Sequence, residues 1–334
     1  MPEKNLPELI TLKRLIDEGG KHLEVGTSCT VAMDGRQFPV YTIALGNPSP
    51  DVPALGFFGG IHGLERIGTQ VVLSFMESLL ARLRWDSTLH QQLESMRLVF
   101  MPLVNPGGMW QATRCNPQGV DLMRNAPLSA VEKVPFMLGG QTFSHHLPWY
   151  RGVQGAPMEP EAEAVCEVVT RELLPRQFSM ALDCHSGFGL RDRIWFPHAH
   201  TATPIPHLAD IGALEQLFSQ SYPNHNYVFE PQSRQYRTHG DLWDYLYLNA
   251  GKVFLPLTLE MGSWLWVKKN PRQIFDRIAI FNPTARHRLQ RVLRRHLILF
   301  DFLMRAANSH GRWLPEGMAR TIQHRRALTQ WYHT

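Results

Sequence analysis
Two hydrophobic rhythms alternate along the chain. The unbroken run at 54–59 (ALGFFG) predicts a buried strand that Gly59-Gly60 ends. The runs at 97–104 (RLVFMPLV), 178–184 and 253–259 (VFLPLTL) read the same way. Residues 28–45 predict two strands about a turn at Asp34-Gly35. Between these runs the apolar spacing changes to three and four. Val71, Val72, Phe75, Leu79 and Leu80 mark one face of a helix over 67–84. Helical stretches follow near 160–173, 207–220 and 240–248. A long helix is predicted over 285–307, with Leu289, Val292, Leu293, Leu297, Phe300, Leu303, Met304 and Ala307 as its apolar stripe. Strands alternating with helices predict an α/β domain whose sheet is covered on both faces.

Composition narrows the class. With 44% hydrophobic and 19% charged residues in 334, the chain is ordinary globular material rather than a disordered or collagen-like one. No stretch approaches the roughly 18 apolar residues that span a bilayer. Residues 1–20 read as a polar helix without the apolar core of a signal peptide. Four cysteines (Cys29, Cys115, Cys166 and Cys184) at irregular spacing suggest reduced thiols, so a cytoplasmic location is expected.

The net charge of +5 is unevenly spread. From Phe281 onward there are ten arginines, no lysine and two acids, a balance of +8, which leaves −3 for the first 280 residues. The expected organisation is a body over 1–280 that carries the chemistry and a basic helical extension over 281–334 packed on it. The tail also invites a different class of function, binding to nucleic acid or anionic lipid through its arginines. Its apolar stripe favours a helix seated on the body with arginines in water, so no nucleic-acid partner is expected.

Chemistry-bearing residues cluster at strand exits. His62 and Glu65, three apart, are unremarkable as a pair, and His207/Asp210, His198/His200 and His145/His146 are rivals. Position separates them, because open α/β sheets form sites just beyond the carboxyl ends of their strands. His62 and Glu65 follow the run 54–59 through a glycine turn. His185 follows 178–184, Glu260 ends 253–259, and Asn105-Pro-Gly-Gly108 and Arg114 follow 97–104. A catalytic zinc needs three N/O ligands and an open position, and His62, Glu65 and His185 supply that number.

The ordered set resembles the zinc carboxypeptidases of the carboxypeptidase A type over roughly residues 38–265. It comprises His62-Gly-Leu-Glu65, Asn105-Pro-Gly-Gly108, Arg114-Cys-Asn116, Gly119-Val-Asp-Leu-Met-Arg-Asn125, Glu159-Pro-Glu161, Asp183-Cys-His-Ser186 and Thr258-Leu-Glu260. The resemblance implies one domain with a mixed, twisted sheet of about eight strands between helices. It implies one Zn2+ per chain on His62, Glu65 and His185, with Asp121 orienting the first histidine. Glu260 is implied as general base in attack by a zinc-bound water, and Arg114 as polariser of the scissile carbonyl. Arg124 is implied as the clamp on a substrate carboxylate. Asn116 falls with the substrate-binding residues, Tyr236 with the mobile capping tyrosine, and Trp243 where the family sets its side-chain pocket.

One position departs from the pattern. Met123 stands where the family has an asparagine beside the arginine, so a thioether replaces a hydrogen-bonding amide. The expected function is a zinc metallocarboxypeptidase acting on a peptide or small amide next to a carboxylate. An amidase or deacylase acting on a wall peptide or N-acyl amino acid is the alternative.

Overall fold
The computed structural model describes residues 6–332. In chain order the elements are α1 (Pro7–Gly19), β1 (Glu24–Met33), β2 (Arg36–Gly46), β3 (Ala54–Gly59), α2 (Arg66–Arg82), α3 (Ser87–Glu94), β4 (Arg97–Met101), α4 (Pro106–Gln111) and α5 (Pro160–Glu172). There follow β5 (Phe178–Ser186), β6 (Arg193–Phe196), α6 (Leu208–Ser221), β7 (Val228–Pro231), α7 (Leu242–Leu248), β8 (Val253–Met261), α8 (Trp264–Lys269), α9 (Arg286–Asn308) and α10 (Gly317–Trp331).

All eight strands join one mixed sheet in the order β1-β2-β4-β3-β5-β8-β6-β7, the α/β architecture expected. Its centre, β4-β3-β5-β8, is parallel, while β1, β2 and the β8–β6 pair run antiparallel. Every residue of β3 and β5 is buried, which is why both strands read as continuous apolar runs. Carboxyl ends of four adjacent parallel strands therefore open on the same edge, and the chemistry gathers there.

Helices close both faces. On one of them Phe57 of β3 stacks on Phe300 of α9 (centroids 4.7 Å apart) and meets Phe75 of α2 edge-on at 5.1 Å, with Phe100 of β4 behind. Each aromatic pair in such a cluster adds about 0.5–1.5 kcal/mol beyond its burial. The arginine-rich tail thus contributes to the centre of the core, and Trp331 of α10 donates its indole N–H to Phe229 O at 2.8 Å. Residues 1–5 of the predicted N-terminal helix lie outside the described residues, and the remainder forms α1 with Leu9, Leu12 and Leu15 buried. Among the described residues no helix is long and apolar enough to cross a membrane.

Candidate active site
The first two ligands sit on the turn after β3. Gly60 takes φ +67°, and a side chain at Gly63 would strike the backbone of Gly108 at 2.1 Å, so the turn needs glycine at both places. Asn105 explains the Asn-Pro-Gly-Gly segment. It caps α4 by accepting from Gly108 N–H at 2.7 Å and donates to Ile61 O at 3.1 Å, which ties the β4 exit to the residue before His62. Asn282 braces the other side: it accepts from Ile67 N–H and donates to Leu64 O.

His62, Glu65 and His185 converge with their ligand atoms within 4.8 Å of one another. His62 Nδ1 lies 2.9 Å from Glu65 Oε1 and 3.1 Å from His185 Nδ1, which is 3.1 Å from Glu65 Oε2. Both histidines direct Nδ1 inward because Nε2 is engaged outward, with Asp121 Oδ1 at 3.1 Å from His62 and Asp183 Oδ2 at 2.7 Å from His185. An Nε2–H donated to a carboxylate leaves an Nδ1 lone pair for a metal, so the donor set suits zinc. Burial would raise the Glu65 carboxyl, but His62 and His185 hold it well below its usual range. Burial likewise disfavours charge on His185, and Asp183 and Glu65 outweigh it. Ser186 N–H also donates to Glu65 Oε2 at 2.9 Å.

Around this centre stand the remaining groups. Glu260, the penultimate residue of β8, lies directly beside His185 in register, and its Oε2 is buried with no partner among the described residues. Burial, reinforced by Glu65 and opposed by His185 and Arg114, pushes its carboxyl up to about 8. Arg114 donates to Asp121 Oδ2 at 2.8 Å and to Glu65 Oε1 at 3.3 Å, and remains about a quarter exposed. Asp121 pairs with Arg114 and His62, which overcome its burial and keep it ionised. Arg124 is 3% exposed, donates to the carbonyls of Met123 and Leu138, and has no acidic partner within 4.0 Å among the described residues. Tyr236 packs against Phe188 and Trp195, and Arg124, Glu260 and Arg114 all act on its hydroxyl.

Two residues expected at the substrate do other work. Asn116 is buried. Its Nδ2 donates to Glu159 and Glu161, and its Oδ1 accepts from Gln118 and Val120 N–H, so the amide is consumed in holding the loop to the start of α5. Trp243 is also buried, and its Nε1 donates to Asp183 at 2.8 Å, behind His185. Of the rivals, His207 bonds Tyr247, Asp210 pairs with Arg320, His200 pairs with Asp244, and His198 Nδ1 meets Thr203 O, while the rings of His145 and His146 lie against each other. Asp183 is the functional residue that motif reading left without a role, although strand alternation places 183 and 185 on one face.

Comparison with known proteins agrees with this geometry. A family model described as zinc carboxypeptidase matches residues 23–265. Carboxypeptidase D of Anas platyrhynchos is 23% identical over 215 residues, covering 60% of this chain and 13% of its own length. Carboxypeptidase E of Caenorhabditis elegans is 28% identical over 158 residues, 42% of this chain and 32% of its own. The chain thus spans less than a third of the length of either relative. A crystal structure of thrombin activatable fibrinolysis inhibitor superposes with a TM-score of 0.66 at 17% identity, covering 89% of this chain and 72% of that one, a likeness of fold.

Proposed function
The chain belongs to the zinc carboxypeptidase family, and from that premise we propose that it is a zinc-dependent hydrolase releasing a carboxylate-bearing residue from a peptide or amide. The observation that carries the reading is the inward pair of histidine Nδ1 atoms and the Glu65 carboxylate, flanked by an unpartnered Glu260 oxygen. One zinc ion on His62, Glu65 and His185 would supply a Lewis acid that makes water nucleophilic at neutral pH. Glu260, whose Oε2 has no competing donor among the described residues and whose ionised form a neighbouring dication would favour, accepts the proton of the attacking water and passes it to the departing amine. Arg114, anchored by Asp121, presents its guanidinium to the oxygen on which negative charge develops. Arg124, a buried cation without a carboxylate of its own, binds the substrate's carboxylate beside the Tyr236 hydroxyl.

Met123 supports the second reading. Its buried thioether donates no hydrogen bond, so the carboxylate is gripped by fewer donors and an acyl or wall-type amide is the competing substrate. We further propose a reducing, cytoplasmic setting, a reading supported by four free thiols. Burial pushes those of Cys29, Cys115 and Cys166 up to about 12. The test combines metal analysis with assays of terminal-residue release and of internal amide cleavage. One zinc per chain is expected, and Glu260→Gln should keep the metal while losing about 10²–10⁴-fold in kcat. A wild-type chain without zinc affinity, or full turnover in the variant, overturns the mechanism.

A further inference from the structure
The two metal histidines are each backed by a carboxylate, but the carboxylates are held differently. Asp121 is fixed by a cation, Arg114, and by Met123 N–H. Asp183 lies in the middle of β5, fully buried, and its Oδ2 receives both His185 Nε2 at 2.7 Å and Trp243 Nε1 at 2.8 Å. Its Oδ1 is buried with no partner among the described residues. The indole is itself fixed. Asp241 accepts from the backbone N–H of Trp243 at the start of α7, and the ring meets Phe58 edge-on at 4.9 Å. Phe58 is the cross-strand neighbour of Asp183.

From this arrangement we infer that Trp243 is a positioning residue for the metal centre, acting through Asp183 on His185, rather than a wall of the substrate pocket. The inference rests on the zinc reading above. An indole N–H donates and never accepts, so it orients Asp183 Oδ2 without competing for the proton on His185 Nε2. The hydrogen bond from Nε2 to Asp183 Oδ2 holds the imidazole plane so that Nδ1 faces the metal position and strengthens Nδ1 as a ligand. With no arginine or lysine within 4.0 Å among the described residues, Asp183 depends on two ring donors, and loss of the indole leaves a buried carboxylate with one.

The experiment measures zinc affinity by competition with a chelator in the wild-type chain, Trp243→Phe, Asp183→Asn and the double variant, with visible spectra of the cobalt-loaded forms alongside. Expected are losses of about 10–100-fold for Asp183→Asn and about tenfold for Trp243→Phe. The double variant should lose less than the product of the two, because one residue acts through the other. Both single variants should shift the cobalt absorption bands. Phe58→Leu, which alters packing and leaves the hydrogen bonds, should lower Tm without changing affinity. Wild-type affinity for Trp243→Phe, multiplying losses, or an equal loss in Phe58→Leu each overturns the inference. So does a changed preference for the terminal residue in Trp243→Phe at unaltered zinc affinity. Failure of the wild-type chain to bind zinc would instead overturn the metal reading itself.

Discussion

At the residue scale, the difference between Arg124 and Asn116 is one of unspent bonding capacity. Arg124 is buried with no acid within 4.0 Å among the described residues, whereas the side-chain amide of Asn116 is engaged by the protein. Arg124→Met should therefore cost about 100-fold in kcat/KM toward peptides with a free terminal carboxylate and little toward their amidated forms, compared by steady-state kinetics. Asn116→Ala should leave KM unchanged and destabilise the fold by about 1–3 kcal/mol, measured by denaturant unfolding. His62, Glu65, His185, Glu260 and Arg114 could be singled out in the sequence because strand exits bring such side chains to one edge, and Asp121 came only through the family resemblance. The role of Trp243 was not legible, since its place in the sequence says nothing of which way an indole turns. Asn282 was equally silent: it carries no periodic signal and reaches its partners from more than 200 residues away.

Among elements, the long and strongly patterned ones were readable and the short ones were not. The buried runs became β3, β4, β5 and β8, within a few residues of their predicted bounds. β6 and β7 hold four residues each, too few to establish a period, yet they extend the sheet beyond Glu260. α10 falls within the helical extension expected over 281–334 but had no bounds of its own, because only Ala327 and Trp331 are buried along its length, which leaves no apolar stripe to find. α9 shows the opposite case, a stripe whose destination no pattern reveals. Its Phe300 is fully buried against Phe57 and Phe75, so Phe300→Ala should cost about 3–5 kcal/mol in equilibrium unfolding. A loss below about 1 kcal/mol would mean that α9 is merely laid on the surface.

On the scale of the whole molecule, charge and pH response separate from the chemistry. The tail's arginines pair in part with the body, Arg295 with Asp192 and Arg320 with Asp210, so we expect no retention on heparin at physiological salt. His296, buried beside them, accepts or donates with Tyr227 Oη at 2.8 Å. Burial lowers its pKa from 6.5 to about 4, with Asp192 opposing and Arg295 assisting. The unfolded chain thus binds the proton first, and stability present near neutrality is lost as pH falls from about 6.5 toward 4. Some 2.5 units correspond to about 3 kcal/mol. Urea midpoints at pH 7 and pH 4.5 should diverge less in His296→Gln than in the wild type. The Asn282 brace has a further consequence, for timing. During synthesis the last proposed metal ligand emerges at residue 185 and the proposed base at 260, but the side chain that pins the His62 turn comes after both, followed by the Phe300 ring. Small zinc modules fold around their ion. Here a zinc ion on the proposed ligands would enter late, after contacts of very long sequence separation have closed.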